Sequence, residues 1–157
     1  METRSYINNE WTEKRKFTII KDITFVDPKI LHEKLFLLEK LQTEDFGKIK
    51  IPNYNFEQTG ELSLRIISEY IKGRYANLYE MDIIEKYAIE RINNIESEYS
   101  LSDYNPNNFI VDGKAPNELY CVDVDCYRKI PPDKRRERWN KIEKLKHERY
   151  QRAYNLD

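Results

Sequence analysis

Two short segments of this 157-residue chain hold the side chains most able to do chemistry. The first, Leu101 to Val111, reads Leu-Ser-Asp-Tyr-Asn-Pro-Asn-Asn-Phe-Ile-Val. The second, Leu119 to Asp125, reads Leu-Tyr-Cys-Val-Asp-Val-Asp. Together they give Asp103, Asn108 five residues later, a short apolar strand, a turn, a second apolar strand and Asp123 at its end. Carboxylates and a carboxamide offer oxygen donors, which suit a hard cation such as Mg²⁺. A carboxylate can also orient a hydroxyl and take its proton. A polar turn capped by Asp and Asn has the same composition and no chemistry. The spacing, the flanking strands and the second Asp all agree with the chemical reading.

The pair of segments resembles the catalytic and metal-binding loops of the kinase-like superfamily. It is closer to the aminoglycoside, choline and lipopolysaccharide kinase branch than to eukaryotic protein kinases. The resemblance implies that Asp103 orients the acceptor hydroxyl, while Asn108 and Asp123 hold metal on the nucleotide phosphates. Asp125 stands where that branch often carries an acidic residue. Further upstream, the resemblance makes Lys21, read as the end of a strand, the phosphate-contacting lysine. Glu33 on the following helix is its expected ion-pair partner, with Glu39 as the alternative. Glu69, Tyr70 and Ile71 fall where the backbone of a hinge would meet adenine. The implied cofactors are ATP and Mg²⁺. The implied acceptor is a hydroxylated small molecule or a protein side chain.

Three departures stand beside this. No glycine precedes Gly47, so a glycine-rich phosphate loop is missing, and backbone amides could not approach the phosphates closely there. Leu101 occupies a position often held by His. About thirty residues follow Asp123, which is short for a lobe that docks an extended peptide. The leading expectation is a minimal ATP/Mg-dependent phosphotransferase. The rival is a degenerate kinase-like binding module acting as inhibitor or regulator of a partner protein.

The elements that must position these residues can be read from their periodicity. Residues from Glu10 to Phe25 read as strand, entered through a turn at Asn8-Asn9. Asp27-Pro28 starts a helix that carries Leu31, Leu35 and Leu38 and ends near Gln42. Strand content follows at Tyr54-Asn55-Phe56 and from Leu62 to Ile71, where Gly73 ends it. A long helix carries the stripe Leu78, Met81, Ile84, Ala88, Ile92, Ile95 and Tyr99. The motif strands come next, then a helix from Asp133 to Tyr154 with Trp139, Ile142 and Leu145 inward and Arg135, Arg136, Lys144 and Lys146 mostly at the solvent side and flanks. The expected fold class is α+β, a reduced two-lobed kinase-like fold. It has a small antiparallel sheet with one helix, then a mainly helical lobe with a catalytic β-hairpin. The expected organisation is a single domain, 1–157, with lobes at 1–72 and 73–157.

Composition bounds the rest. The chain is 35% charged and 39% apolar, with a net charge of −1. From Lys129 onward there are 10 Lys/Arg against 5 Asp/Glu, and the remainder carries 17 against 23. A basic terminal helix suits an acidic protein partner. The absence of interleaved aromatic and basic residues argues against nucleic acid. No run of 18 apolar residues exists, which argues against a membrane span. The N-terminus lacks an apolar signal core, and Cys121 and Cys126 read as reduced thiols, so the expected location is cytoplasmic.

Overall fold

A computed structural model describes residues 7–44, 46–94, 98–101, 105–114, 118–122 and 127–153. Its first sheet is antiparallel, with β1 (Ile7–Lys14), β2 (Thr18–Phe25), β4 (Tyr54–Gln58) and β5 (Ser63–Glu69) in the order β1-β2-β5-β4. Helix α1 (Pro28–Thr43) connects β2 to the rest. Asp27 caps its first turn by accepting from Lys29 N at 2.8 Å, and Pro28 supplies the helical φ without wasting a donor. Ile30, Leu31, Leu38 and Leu41 then recur on one buried face.

The second sheet is built around the motif hairpin. Strands β6 (Gly73–Tyr75), β8 (Phe109–Asp112) and β9 (Leu119–Cys121) are antiparallel neighbours, and β3 (Ile49–Lys50) joins β9 in parallel. A two-stranded ribbon, β7 (Tyr99–Leu101) with β10 (Tyr127–Lys129), lies beside it. Helices α2 (Leu78–Asn93) and α3 (Arg135–Ala153) complete the chain. A reciprocal capping box between Asn77 and Glu80 opens α2.

One hydrophobic cluster runs through all of this. It joins Ile23, Phe25, Leu31 and Leu38 of the first sheet and α1 to Ile49, Phe109, Cys121 and Tyr127, and then to Met81, Ile84, Ala88 and Ile142 of α2 and α3. Tyr127 is fully buried, packs its ring 4.0 Å from Phe46 and donates its hydroxyl to Ile49 O at 2.9 Å. That bond removes the cost of burying a phenol.

Several expectations are corrected. Asn8-Asn9 is not a turn. It lies within β1, where the register shifts between Ile7 and Asn9, and the hairpin turns at Arg15–Phe17, closed by Arg15 N to Thr18 O at 2.8 Å. A bulge tolerates the Asn pair as readily as a turn does. The apolar stripe of α2 stops at Asn93, and Tyr99 belongs to β7. Ile95 lies outside the described residues, as does the expected helix end at Tyr154. Gly73 opens β6, and a β-carbon there would meet Val111 O at 1.8 Å, so the two backbones touch where only glycine fits.

Along α3, Ile142 is fully buried, and Trp139 and Leu145 are half-buried. Arg135 does not face solvent. It donates to Ile92 O at 2.6 Å and Asn94 O at 3.0 Å, the open carbonyls at the end of α2. Arg149 pairs with the fully buried Glu85, and Lys146 with Asp82 at 3.1 Å. The basic helix therefore docks partly through its charges.

Candidate active site

Strand alternation puts Lys21 on the same face of β2 as Ile23 and Phe25, the two that enter the core. Lys21 lies mid-strand rather than at a strand end. Its side chain is 24% exposed, and its ammonium pairs with Glu10 of β1 at 3.3 Å. Glu33 and Glu39 are exposed on α1. The structure therefore pairs Lys21 with the neighbouring strand, and it does not bring Glu33 to Lys21.

The charged residue that α1 turns inward is Lys34, 3% exposed between Leu31 and Leu38. Sequence reasoning missed it. The signal was present: positions 31, 34, 38 and 41 form one helical stripe with a lysine in it. A buried ammonium is retained only when partnered, and Lys34 is engaged within the chain.

At the expected hinge, Glu69 and Asn53 bond reciprocally: Glu69 N donates to Asn53 O at 2.9 Å, and Asn53 N donates to Glu69 Oε1 at 3.0 Å. Tyr70 N donates to Phe17 O at 2.8 Å, and the Lys14 ammonium sits 4.2 Å above the Tyr70 ring. These two amides are committed inside the protein. Ile71 makes no hydrogen bond to another described residue.

The motif hairpin begins with a single 3-10 turn, Pro106–Asn108. Asn105 caps it by accepting from Asn107 N at 3.1 Å, and Asn108 N donates to Asn105 O at 2.9 Å. Asn108 O accepts from Val122 N at 2.8 Å, which ties this turn to the residue preceding Asp123 in sequence. The Asn108 side chain is half-buried and makes no hydrogen bond to another described residue. Asp103 and Asp123 lie outside the described residues. Among the described residues, no three acidic, His or Cys side chains cluster as a metal site.

Cys121 is disulfide-bonded, against the expectation of a thiol. Cys126 lies outside the described residues. The cysteines therefore give no support to a reducing compartment. No described helix is long and apolar enough to cross a membrane.

A groove of about 630 Å³ is lined by Gln42, Phe46, Lys50, Asn53, Glu69 and Tyr120 among others. Of the described candidate residues, only Glu69 reaches it. The Lys50 ammonium bonds Glu118 and holds its carboxyl below the usual range. Burial, then the bond to Glu118, pushes the Tyr120 hydroxyl up to about 12. These groups satisfy one another.

No protein-family profile matches the chain, and no curated protein matches it. Solved structures do. A crystal structure of WbdD superposes with a TM-score of 0.50 at 14% identity, over 79% of this chain and 31% of WbdD. The chain and that part of WbdD share a fold. A second WbdD structure, described as a bifunctional kinase-methyltransferase, gives 0.49 at 13% identity, over 78% of this chain and 30% of that one. The chain thus spans about a third of WbdD. At this identity the likeness concerns the fold alone, which is α+β with small antiparallel sheets and three helices among the described residues.

Proposed function

We propose that the chain is a minimal ATP- and Mg²⁺-dependent phosphotransferase acting on a hydroxyl group, organised as lobes 1–72 and 73–157. The observation that carries this reading is the placement of Lys21 on the inward face of the sheet in a kinase-like fold whose hairpin opens with Asn108. Support also comes from the kinase half of the description that WbdD carries.

The described residues fit a magnesium nucleotide. Lys21 presents a part-exposed ammonium, Asn108 an unbonded carboxamide, and Ile71 a backbone with no hydrogen bond to another described residue. Lys21 would neutralise phosphate charge, and Asn108 with Asp123 would hold the metal. Asp103 would orient the acceptor hydroxyl and take its proton. When bound, the cation would draw charge off the phosphate oxygens and fix their geometry. The acceptor would be a hydroxylated small molecule or a side chain of a partner. An acidic protein partner would meet the exposed basic residues of α3.

The test is ATP binding by calorimetry in Mg²⁺ and in EDTA. Mg²⁺ should tighten binding in the wild type, and Asp123→Ala should abolish the difference. Asp103→Asn should leave binding intact while transfer falls about a hundredfold or more. Equal affinity in both buffers refutes the metal assignment.

Two observations favour a binding module instead. The hinge amides of Glu69 and Tyr70 are committed internally, and the β1–β2 turn is Arg15-Lys16-Phe17, without the glycine that would admit a phosphate. A module would show no transfer, and its biological effect would survive Asp103→Asn.

A further inference from the structure

Strand β1 is the edge of the first sheet, and among the described residues no strand covers its outer side. It is eight residues long and contains no proline. The opposite edge, β4, has five residues and follows Pro52. Long open edges are templates for another strand, because their N–H and C=O groups lack partners.

The hairpin register fixes which groups point outward. Arg15 N donates to Thr18 O, so Arg15, and by alternation Glu13, Trp11 and Asn9, turn their backbones toward β2. Glu10, Thr12 and Lys14 therefore aim N–H and C=O at solvent. Their side chains are exposed as well. Trp11, on the outer face of the sheet, is 52% exposed.

We infer that β1 pairs antiparallel with β1 of a second copy, joining the two sheets across a twofold axis at Thr12. A twofold pairing must match outward residues with outward residues, so the axis can pass beside Glu10, Trp11, Thr12 or Glu13. An axis at Glu10 or at Glu13 sets two glutamates face to face. An axis at Trp11 pairs Glu10 with Thr12 and brings no opposite charges together. Only the axis at Thr12 places Glu10 against Lys14 of the other copy, and does so twice. Opposite charges directly across an antiparallel pair stabilise it, and like charges oppose it. The same register sets Trp11 across from Glu13, on one face of the joined sheet.

The inference does not depend on the phosphotransferase reading, since it concerns the open backbone edge of β1; Glu10 also pairs with Lys21 and Lys14 sits over Tyr70, so its readout is association and not transfer. The test is sedimentation velocity of the full chain across a range of concentrations. The wild type should sediment as a dimer in reversible equilibrium with monomer. Thr12→Pro removes an outward N–H without breaking a bond to β2, and should give monomer. Lys14→Glu should give monomer by facing Glu10 with a second carboxylate. Glu10→Lys should do the same with two ammonium groups. Mixing Lys14→Glu with Glu10→Lys should restore a dimer, since each strand then complements the other. A wild type that is monomeric at every concentration overturns the inference. So does a dimer that survives both Thr12→Pro and Lys14→Glu, or a mixture that stays monomeric while circular dichroism shows both variants folded.

Discussion

Gly73→Ala should destabilise the protein by an amount the geometry sets. The added β-carbon would stand 1.8 Å from Val111 O, 2.9 Å from Val111 C and 3.0 Å from Gly113 N. All three are backbone atoms, so no rotamer change relieves the clash. Strands β6 and β8 must part, which weakens the pairings Gly73↔Asp112 and Arg74↔Val111 and the 2.9 Å bond from Gly113 N to Lys72 O. Two or three backbone hydrogen bonds at about 1 kcal/mol each, with an overpacking cost of about 1–3 kcal/mol, give roughly 3–6 kcal/mol. A domain of this size loses about 2–4 °C per kcal/mol, so the melting temperature should fall by roughly 6–24 °C. Differential scanning calorimetry measures this directly. Gly60→Ala is the control, because its β-carbon meets the rotatable Ser63 hydroxyl at 3.2 Å. If Gly73→Ala melts no lower than Gly60→Ala, the strand contact between hinge and hairpin is not as described.

Arg135→Ala removes two bonds to the carbonyls that end α2 and should cost about 1–3 kcal/mol by urea denaturation, whereas the exposed Arg136→Ala should cost little. Acid should destabilise the fold through Glu80 and Asp82. The hydrogen bond from Arg74 holds the Glu80 carboxyl low; burial pushes Asp82 up, but its bonds from Lys146 and Tyr150 outweigh that and leave it low. A depressed carboxyl contributes stability above its unfolded value, and that contribution is lost as pH falls below about 4. Thermal melts from neutral to acid pH should show this loss, and Glu80→Gln should flatten part of it.

The parts of the fold written in local sequence were legible. Asp27-Pro28 marks the start of α1 because cap and φ preference act within one turn. The short apolar runs Phe109-Ile110-Val111 and Leu119-Tyr120-Cys121, joined by a polar turn, mark the hairpin for the same reason. The pairing of β7 with β10 was not legible, since three-residue strands carry almost no periodicity and their partnership is set by the core. The outward position of Glu33 follows from the helical phase set by Leu31 and Leu38, so it was readable in principle; the family pattern drew attention past it. Arg135 was misplaced because composition says that arginine prefers water, while the open carbonyls of α2 make a buried donor favourable. The pairing of Lys21 with Glu10 depends on a hairpin register that the misplaced Asn8-Asn9 turn concealed.

The parallel pairing of β3 with β9, and the bond from the Tyr127 hydroxyl to Ile49 O across 78 residues, bear on how the chain reaches its native state. Ile49 is wholly enclosed, yet the groups that enclose it include Tyr127, which arrives late in the chain. Closing so long a loop costs entropy before any contact repays it. Parallel pairing between distant strands is slow to form for that reason. The first sheet and α1 can assemble from neighbouring segments, but their inner surface stays wet until the hairpin and β10 dock. The kinetic bottleneck should therefore lie at the seam between β3 and β9, and the committed transition state should already contain residues from both ends of that loop.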